Sequence, residues 1–355
     1  MANTRKWSFY NAESKEKFLK TQIKNANSRM TYEITLGNVS DHERFLNKDI
    51  FSMNQFELKD TFETLTTNTL STVSTIRSRI ANYIEWAIAN HLSENGMVLS
   101  WLKSCNDEDL VSVVAMENQY ITKAEKDLLI EYARNWQDKA FIMLRWKNIG
   151  GIDLSEITGL RYEDLNKNTN EVHLHGLIKK RNKKLKMVEV KSDRLVKLTQ
   201  EEMDLLERAY TVSVYEMYKG ISGKNKEEDK NKMYWIQEPL MDNGYIFRKL
   251  QRKSNEPTQN NEIKSQVLTS RLKSLVKGEG YDEGLQKPQI VSKSLSTSGM
   301  LNELKELRKV KDILTDDDFR DVVAKFNTED YNMATLKKLY NFMLKRDMKF
   351  IRADN

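Results

Sequence analysis

The chain has 355 residues, of which 39% are hydrophobic and 31% charged, and it contains only three prolines. This length accommodates two domains of ordinary size, each with its own core. The composition favours a mainly α-helical protein with a small β-hairpin or sheet over a sandwich of many short strands. No apolar run approaches the roughly 18 residues that span a bilayer, and the first residues lack the apolar stretch of a secretory signal. We therefore expect a cytoplasmic protein.

Cysteine and histidine usage argues against a metal centre or cofactor. Cys105 is the single cysteine, which excludes an internal disulfide and a thiolate-based zinc site. Of the four histidines, only His173 and His175 are close together. They are two residues apart in an alternating run, so both rings leave a strand on the same face. We interpret them as two polar strand residues, and we expect neither a metal nor a cofactor.

The positive charge is concentrated in one segment. The chain nets +6, whereas the segment from Lys179 to Lys197 holds nine Lys or Arg and two acids, a net charge of +7. Such a run is either a solvated surface or an element that contacts phosphates, because clustered basic residues gain affinity by releasing counterions from nucleic acid.

The first 103 residues read as a helical domain. Residues 71–92 form an amphipathic helix with Ser71 or Thr72 as its N-cap. Its buried stripe consists of residues at three- and four-residue spacings: Val73, Ile76, Ile80, Ile84, Ala87 and Ile88. Upstream, residues 42–65 predict one or two shorter helices. Their core residues are Phe45, Leu46, Phe51, Phe56, Leu58, Phe62 and Leu65. Residues 104–117 lack a clear period and are typical of a linker.

The second domain, residues 118–355, begins with a capping box. The hydroxyl of Thr122 caps the amide of Glu125, whose side chain reaches back to Thr122. Two alternating runs around a basic turn, residues 171–174 and 187–190, predict a β-hairpin. A second capping box, from Thr199 to Glu202, starts the next helix.

The segment Leu154–Leu165, LSEITGLRYEDL, resembles a motif of the tyrosine recombinases, the phage integrase family. Ser155, Glu156, Leu160, Arg161, Tyr162, Glu163, Asp164 and Leu165 fall in register with that motif. The resemblance covers roughly residues 35–345, and it implies a two-domain fold with a helical core-binding (SAM-like) domain and an integrase catalytic-type domain. It also implies cleavage of DNA by a tyrosine without a metal, for which two arginines normally stabilise the phosphate.

In that register the family's catalytic set is degenerate. The first arginine position holds Asp153, and in the second box Lys293 takes a histidine position and Ser296 the second arginine position. Arg161 belongs to a literal TGLR string, but assigning the first arginine there leaves no room for the acidic positions that follow. The resemblance relates Tyr331 and Tyr340 to the late residues of the site, with Tyr340 as the descendant of the nucleophile. We expect Asp153 to turn toward Arg145 or Arg161.

DNA contacts do not depend on those few positions. The candidates lie on the helix of the first domain, on the basic hairpin and near the second box: Ser74, Arg77, Ser78, Arg79, Lys179, Lys180, Arg181, Lys183, Lys184, Arg271, Lys273 and Lys293. We expect no enzymatic activity.

The resemblance and the Lys- and Asn-rich composition together favour a sequence-specific, double-stranded DNA-binding regulator in a bacterial nucleoid. They fit an integrase-like prophage repressor that maintains lysogeny, with possible self-association and a phage regulatory protein as a further partner. An active recombinase using Tyr340 is the alternative. A helical interaction protein with a solvated hairpin is a third reading.

Overall fold

The computed structural model describes residues 8–65, 70–110, 119–181, 187–219, 234–251, 262–279, 285, 287, 290–326 and 333–353. The chain divides into two compact units, Met1–Gln119 and Tyr120–Asn355. Each unit is mainly helical, and the second also contains small antiparallel sheets, which confirms the expected fold class. Among the described residues, no helix is both long enough and apolar enough to cross a membrane.

The first unit is built from helices around one core. They are α1 (Ala12–Gln22), α2 (Ala26–Leu46), α3 (Gln55–Thr64), α4 (Leu70–Ala89) and α5 (Gly96–Ser104), with short 3₁₀ turns at Ile50–Ser52 and Asp107–Leu110. The predicted stripe of α4 is confirmed, since Val73, Ile80 and Ile84 are fully buried. The predicted N-cap is wrong, because α4 already begins at Leu70.

Two predicted core residues of this unit are exposed. Phe45 is 81% and Phe56 83% exposed, whereas Phe51, Leu58 and Phe62 are buried as expected. Phe45 lies near the end of α2, a single long helix where the sequence suggested shorter ones, and Phe56 lies in the first turn of α3. Both point away from the core, because a helix buries only the stripe that faces its neighbours.

The expected linker, residues 104–117, is described only as far as Leu110. Leu110 is buried in the core of the first unit, so this part of the chain packs against the helices before it. Residues 111–117 lie outside the described residues.

The second unit begins with α6 (Lys123–Tyr132) and α7 (Trp136–Trp146). It continues through a 3₁₀ turn (Ile152–Leu154), α8 (Ser155–Thr158), a second 3₁₀ turn (Tyr162–Asp164), β1 (Leu165–Asn166), β2 (Glu171–Arg181) and β3 (Met187–Lys197). The remaining elements are α9 (Gln200–Thr211), β4 (Val214–Lys219), β5 (Tyr234–Pro239), α10 (Ser265–Lys277), α11 (Ser292–Arg308), α12 (Asp316–Lys325) and α13 (Met333–Ala353). Both predicted capping boxes are present, at Thr122–Glu125 and at Thr199–Glu202.

The sheet of this unit has the order β1-β2-β3 and is antiparallel throughout. The predicted hairpin is therefore confirmed, and its strands extend well beyond the two alternating runs. Val172 and Leu174 face the core, while the register pairs His175 with Asp193 on the opposite face. A second hairpin, β4-β5, flanks residues 220–233 and was not predicted.

Helix α7 lies at the centre of the second unit, and α11 crosses it closely. A Cβ at Gly299 of α11 would lie 1.9 Å from the carbonyl oxygen of Trp146 in α7. Only glycine permits this approach, so the two helices are held at backbone distance. The same crossing places the second box, which contains Lys293 and Ser296, against the C-terminal end of α7.

Candidate nucleic-acid interface and degenerate catalytic positions

The motif Leu154–Leu165 is anchored by a buried carboxylate. Glu156 is almost completely buried and accepts hydrogen bonds from the Gly150 amide (2.9 Å), the Ser192 hydroxyl (2.6 Å) and both Nε and Nη2 of Arg194 (2.9 and 3.0 Å). Burial by itself raises the pKa of Glu156, but the hydrogen bonds and charge of Arg194 outweigh it, so the pKa lies below the usual value. This pair fastens α8 to β3.

Asp153 lies on the bend just before α8. The bend uses left-handed backbone at Gly151, Asp153 and Leu154, with φ values of 68°, 50° and 62°. The Asp153 side chain is exposed. The expected pairing with Arg145 or Arg161 is wrong: Arg161 contacts Glu163 (3.5 Å) and Tyr245 (3.2 Å), and Arg145 is directed elsewhere. The acid at the first arginine position therefore faces solvent.

Ser296 is held by Arg145, which the sequence had suggested as a partner of Asp153 instead. The Arg145 guanidinium, from the last turn of α7, donates to the Ser296 hydroxyl and to the carbonyls of Ile149 (2.9 Å) and Ser292 (3.4 Å). The Ser296 hydroxyl donates to the Arg145 carbonyl at 3.0 Å. Arg145 is 8% exposed, and this burial lowers its pKa to about 10, so it stays charged at neutral pH.

Tyr340 is packed inside the second unit. It is 3% exposed, its ring meets Phe319 edge-on with centroids 5.4 Å apart, and its hydroxyl has no hydrogen-bond partner among the described residues. Burial raises the pKa of the Tyr340 hydroxyl. This is the environment of a core tyrosine. Tyr331 lies outside the described residues.

The second box presents one exposed cation. Lys293 is exposed on the first turn of α11, one turn before the buried Ser296 and Thr297. Among the residues that the sequence placed in the degenerate set, Lys293 is thus available to a ligand while Ser296 is not.

The basic hairpin is described in part. Lys179, Lys180 and Arg181 are the last residues of β2, and Lys183 and Lys184 lie outside the described residues. On β3, Lys191 and Lys197 are exposed, whereas Arg194 is occupied by Glu156. Among the described side chains of this element, Lys191 and Lys197 are therefore the exposed cations.

Two half-buried arginines of α4 make contacts within the first unit. Arg77 donates to the carbonyls of Leu102 (3.3 Å) and Cys105 and pairs with Asp107 at 3.1 Å. Arg79 donates to the Thr31 carbonyl (3.2 Å) and the Thr35 hydroxyl (3.0 Å). Amphipathic periodicity did not indicate these internal contacts, because it does not distinguish solvent from a neighbouring helix. The assignment of the two arginines as DNA contacts stays a prediction.

Ser74 and Ser78 occupy the same helix with different exposure. Ser78 is exposed, and Ser74 is half-buried. Ser78 is therefore the accessible residue among the α4 candidates.

Arg271 is likewise internal, in contrast to its neighbour Lys273. Its guanidinium stacks on Tyr215, 3.8 Å from the ring centroid, donates to the Gln137 side chain at 3.1 Å and lies 4.0 Å from Asp138. Lys273 is exposed on α10. Arg271 therefore packs α10 against β4 and α7, and its assignment as a DNA contact stays a prediction.

Comparison with known proteins identifies relatives for both units. A family model described as "MrpR, C-terminal catalytic domain" matches residues 120–349, and one described as "MrpR, N-terminal core-binding domain" matches residues 9–89. The SPbeta prophage-derived uncharacterized protein YopR of Bacillus subtilis (strain 168) is 25% identical over 169 residues. That match spans 47% of this chain and 51% of YopR, about half the length of the relative.

Solved structures of the Tn1549 transposon integrase are also similar. One, in complex with a circular intermediate DNA, is 13% identical, with 94% of this chain and 95% of that chain covered and a TM-score of 0.42. Another, in complex with transposon right end DNA, is 13% identical with a TM-score of 0.43, covering 93% and 94%. At this level individual residues cannot be equated. The family models alone cover most of both units, and the chain, an integrase-like protein related to an SPβ prophage protein, belongs to the MrpR family.

Proposed function

We propose that this protein is a sequence-specific, double-stranded DNA-binding transcriptional regulator on an inactivated tyrosine recombinase scaffold. The observation that carries the proposal is the contact between Arg145 and Ser296. The position where a recombinase would place a phosphate-binding arginine holds a buried serine, and that serine is bonded to an internal arginine. The scaffold is kept while the groups that would stabilise a cleavage transition state are absent from these positions.

The expected loss of reaction rate argues against strand cleavage. Losing one preorganised donor to a developing oxyanion typically costs about 100- to 1000-fold in rate, and two arginines are replaced here. Asp153 is exposed, and a carboxylate about 4 Å from a phosphate would repel it by roughly 4 kcal/mol at an effective dielectric constant near 20. A buried tyrosine with a raised pKa, Tyr340, is also poorly suited to act as a nucleophile.

DNA binding rests on the surface charge that remains. The described lysines Lys191, Lys197, Lys273 and Lys293 are exposed, and the hairpin sequence adds the basic residues on either side of its turn. Because backbone contacts from lysine gain affinity through counterion release, these residues supply binding that does not depend on catalysis. We propose that the first unit contacts the DNA bases, and that Ser78, which is exposed on α4, is a candidate for such a contact.

Repression is the narrower part of the proposal. The relationship to an SPβ prophage-derived protein supports a role in a prophage, and a DNA-binding protein without cleavage activity would act there by occupying operator sites to maintain lysogeny. We place it in the bacterial cytoplasm on the nucleoid, without a membrane or cofactor requirement. Self-association and a phage regulatory protein are further proposed partners.

The test measures DNA binding first and then asks whether a covalent protein–DNA adduct forms. The full chain is first assayed by mobility shift against fragments of the prophage genome at two salt concentrations, and we expect specific, salt-dependent complexes. Bound fragments are then nicked to make suicide substrates, which trap a covalent tyrosine adduct in an active recombinase. We expect no adduct.

Other outcomes select other functions. An adduct that disappears in Tyr340→Phe would show an active recombinase. A protein that binds no fragment specifically at either salt concentration would instead be a helical interaction protein with a solvated hairpin.

A further inference from the structure

We propose that the exposed face of the β1-β2-β3 sheet carries a binding site for a divalent transition-metal ion of the zinc class, with His173, His175 and Asp193 as ligands. In the sequence, only the two histidines stand close together, and the aspartate lies 18 residues after His175. The fold adds the third ligand and a carboxylate behind one of the rings. This inference does not depend on DNA binding.

The strand register assembles the ligands. His173 and His175 alternate along β2 and leave the same face of the sheet, and β3 pairs Asp193 directly with His175. The two imidazole centroids are 4.0 Å apart, and one ligand atom from each of the three residues lies within 4.8 Å of the others. The Asp193 carboxylate oxygen contacts Nε2 of His173 and is 3.8 Å from Nδ1 of His175.

These distances are close to those of a filled site. Zinc bonds to imidazole nitrogen and carboxylate oxygen are about 2.0–2.2 Å long, so donor atoms around a tetrahedral ion are about 3.3 Å apart. Small side-chain rotations bring this set to that spacing, since all three side chains lie on the surface of the sheet. Two imidazoles and one carboxylate match zinc, nickel or copper better than magnesium or calcium, which prefer oxygen ligands.

A second carboxylate stands behind one of the rings. Oδ1 of Asp164 is 3.7 Å from Nε2 of His175, on the side of the ring away from Asp193. Asp164 is only 13% exposed, and its other oxygen accepts the Arg161 amide at 2.8 Å, which fixes its position. A carboxylate behind a metal-binding histidine sets the tautomer and increases the basicity of the coordinating nitrogen. Here it would direct Nδ1 of His175 toward the ion.

The two-histidine, one-carboxylate set leaves room for water. A tetrahedral ion would keep one position for a solvent molecule, and the ligands would supply one negative charge against its two positive charges. The ion would tie β2 to β3 across the sheet, close to Asp164 of the motif.

The test is zinc binding by the full chain. After treatment with a chelator and its removal, the protein is titrated with Zn²⁺ at pH 7.5 against a chromophoric competitor. We expect one tight site per chain. His175→Gln and Asp193→Asn should each weaken it by at least about 100-fold, and Asp164→Asn by about 10- to 100-fold, the usual effect of losing a group behind a ligand.

Matched controls separate this site from others. His91→Asn retains a residue that tolerates the left-handed backbone at this exposed position (φ 59°), and Cys105→Ser removes the single thiol. Neither should change Zn²⁺ affinity. Thermal unfolding provides a second measurement: Zn²⁺ should raise the melting temperature of the wild type but not of His175→Gln. The inference is overturned if the wild type binds no Zn²⁺ at micromolar concentration, or if its affinity survives in His175→Gln or depends on His91 or Cys105.

Discussion

The guanidinium of Arg145 donates a hydrogen bond to the hydroxyl of Ser296, and that hydroxyl donates in turn to the Arg145 carbonyl. The two residues are 151 positions apart, and their reciprocal contact joins the end of α7 to the first turns of α11. Ser296, which the sequence resemblance related to the second arginine position, is therefore part of the interior. Under our proposal, this contact gives the second box a structural role.

Arg145→Met should lower the free energy of unfolding of the second unit by about 1–3 kcal/mol. The substitution leaves the buried carbonyl of Ile149 without its Arg145 donor, and one unsatisfied buried acceptor costs about that much. Urea unfolding of the full chain measures the change. The control is Arg320→Met, which removes an exposed pair with Asp317 and should change stability by less than about 0.5 kcal/mol. Equal effects of both substitutions would contradict the role of Arg145.

Glu156→Gln should destabilise the protein at neutral pH by an amount that shrinks in acid. The folded-state pKa of Glu156 lies below the usual value for a glutamate, so its ionised form contributes stability above that usual value and the contribution is lost as the pH falls through the folded pKa. Urea midpoints at pH 7, 5 and 3 measure the difference between wild type and variant. Glu163→Gln, at a 74% exposed side chain, is the control. A difference that stays constant with pH would rule out the ionised pair with Arg194.

Replacing Lys179, Lys180 and Lys183 with Gln should weaken specific and random DNA binding about equally. Backbone contacts carry little sequence information, and losing three of them should flatten the dependence of log K on log salt by about three units. Mobility shifts across a salt series measure both effects. The same change at three other exposed residues, Lys17 and Lys20 of α1 and Lys24 just after it, removes equal charge and serves as the control. Loss confined to specific DNA would assign the hairpin to base reading.

Ser78→Glu and Arg77→Ala should separate DNA contact from folding on α4. Ser78 is exposed, so a carboxylate there should weaken DNA binding at least about 10-fold through repulsion of phosphate while leaving stability unchanged.

Arg77 joins α4 to α5 and Asp107, so its loss should destabilise the first unit by about 1–3 kcal/mol. Mobility shift and urea unfolding are measured on both. Ser100→Glu places the same charge at another exposed position and is the control. If Ser100→Glu weakened DNA binding as much as Ser78→Glu does, α4 would not be part of the interface.

Local patterns predicted local structure well. The stripe of α4, the capping boxes at Thr122 and Thr199, and the hairpin after the motif all depend on residues close in sequence. Such patterns did not predict whether a given face of a helix lies against solvent or against a neighbouring helix. Phe45 looked like core and is exposed, while Arg77 looked like surface and is internal.

The candidate sites were harder to predict because they form across long sequence separations. No spacing rule connects Arg145 with Ser296, and Asp193 joins the two histidines only after the hairpin turn sets the register. Asp153 was expected to turn toward an internal arginine, because a carboxylate that faced a phosphate would weaken DNA binding. The left-handed bend at Asp153 and Leu154 instead leaves the side chain in solvent, where no partner is needed.

The close fit around Arg145 constrains how this protein can change over evolutionary time. A Cβ at Gly150 would lie 2.0 Å from Nη1 of Arg145, and Ser296 closes another side of the same space. An arginine restored at position 296 would have to share that space with a second guanidinium, so the reversion would be harmful unless Arg145 changed first. Under our proposal, the loss of cleavage activity is protected by the order in which substitutions would have to occur.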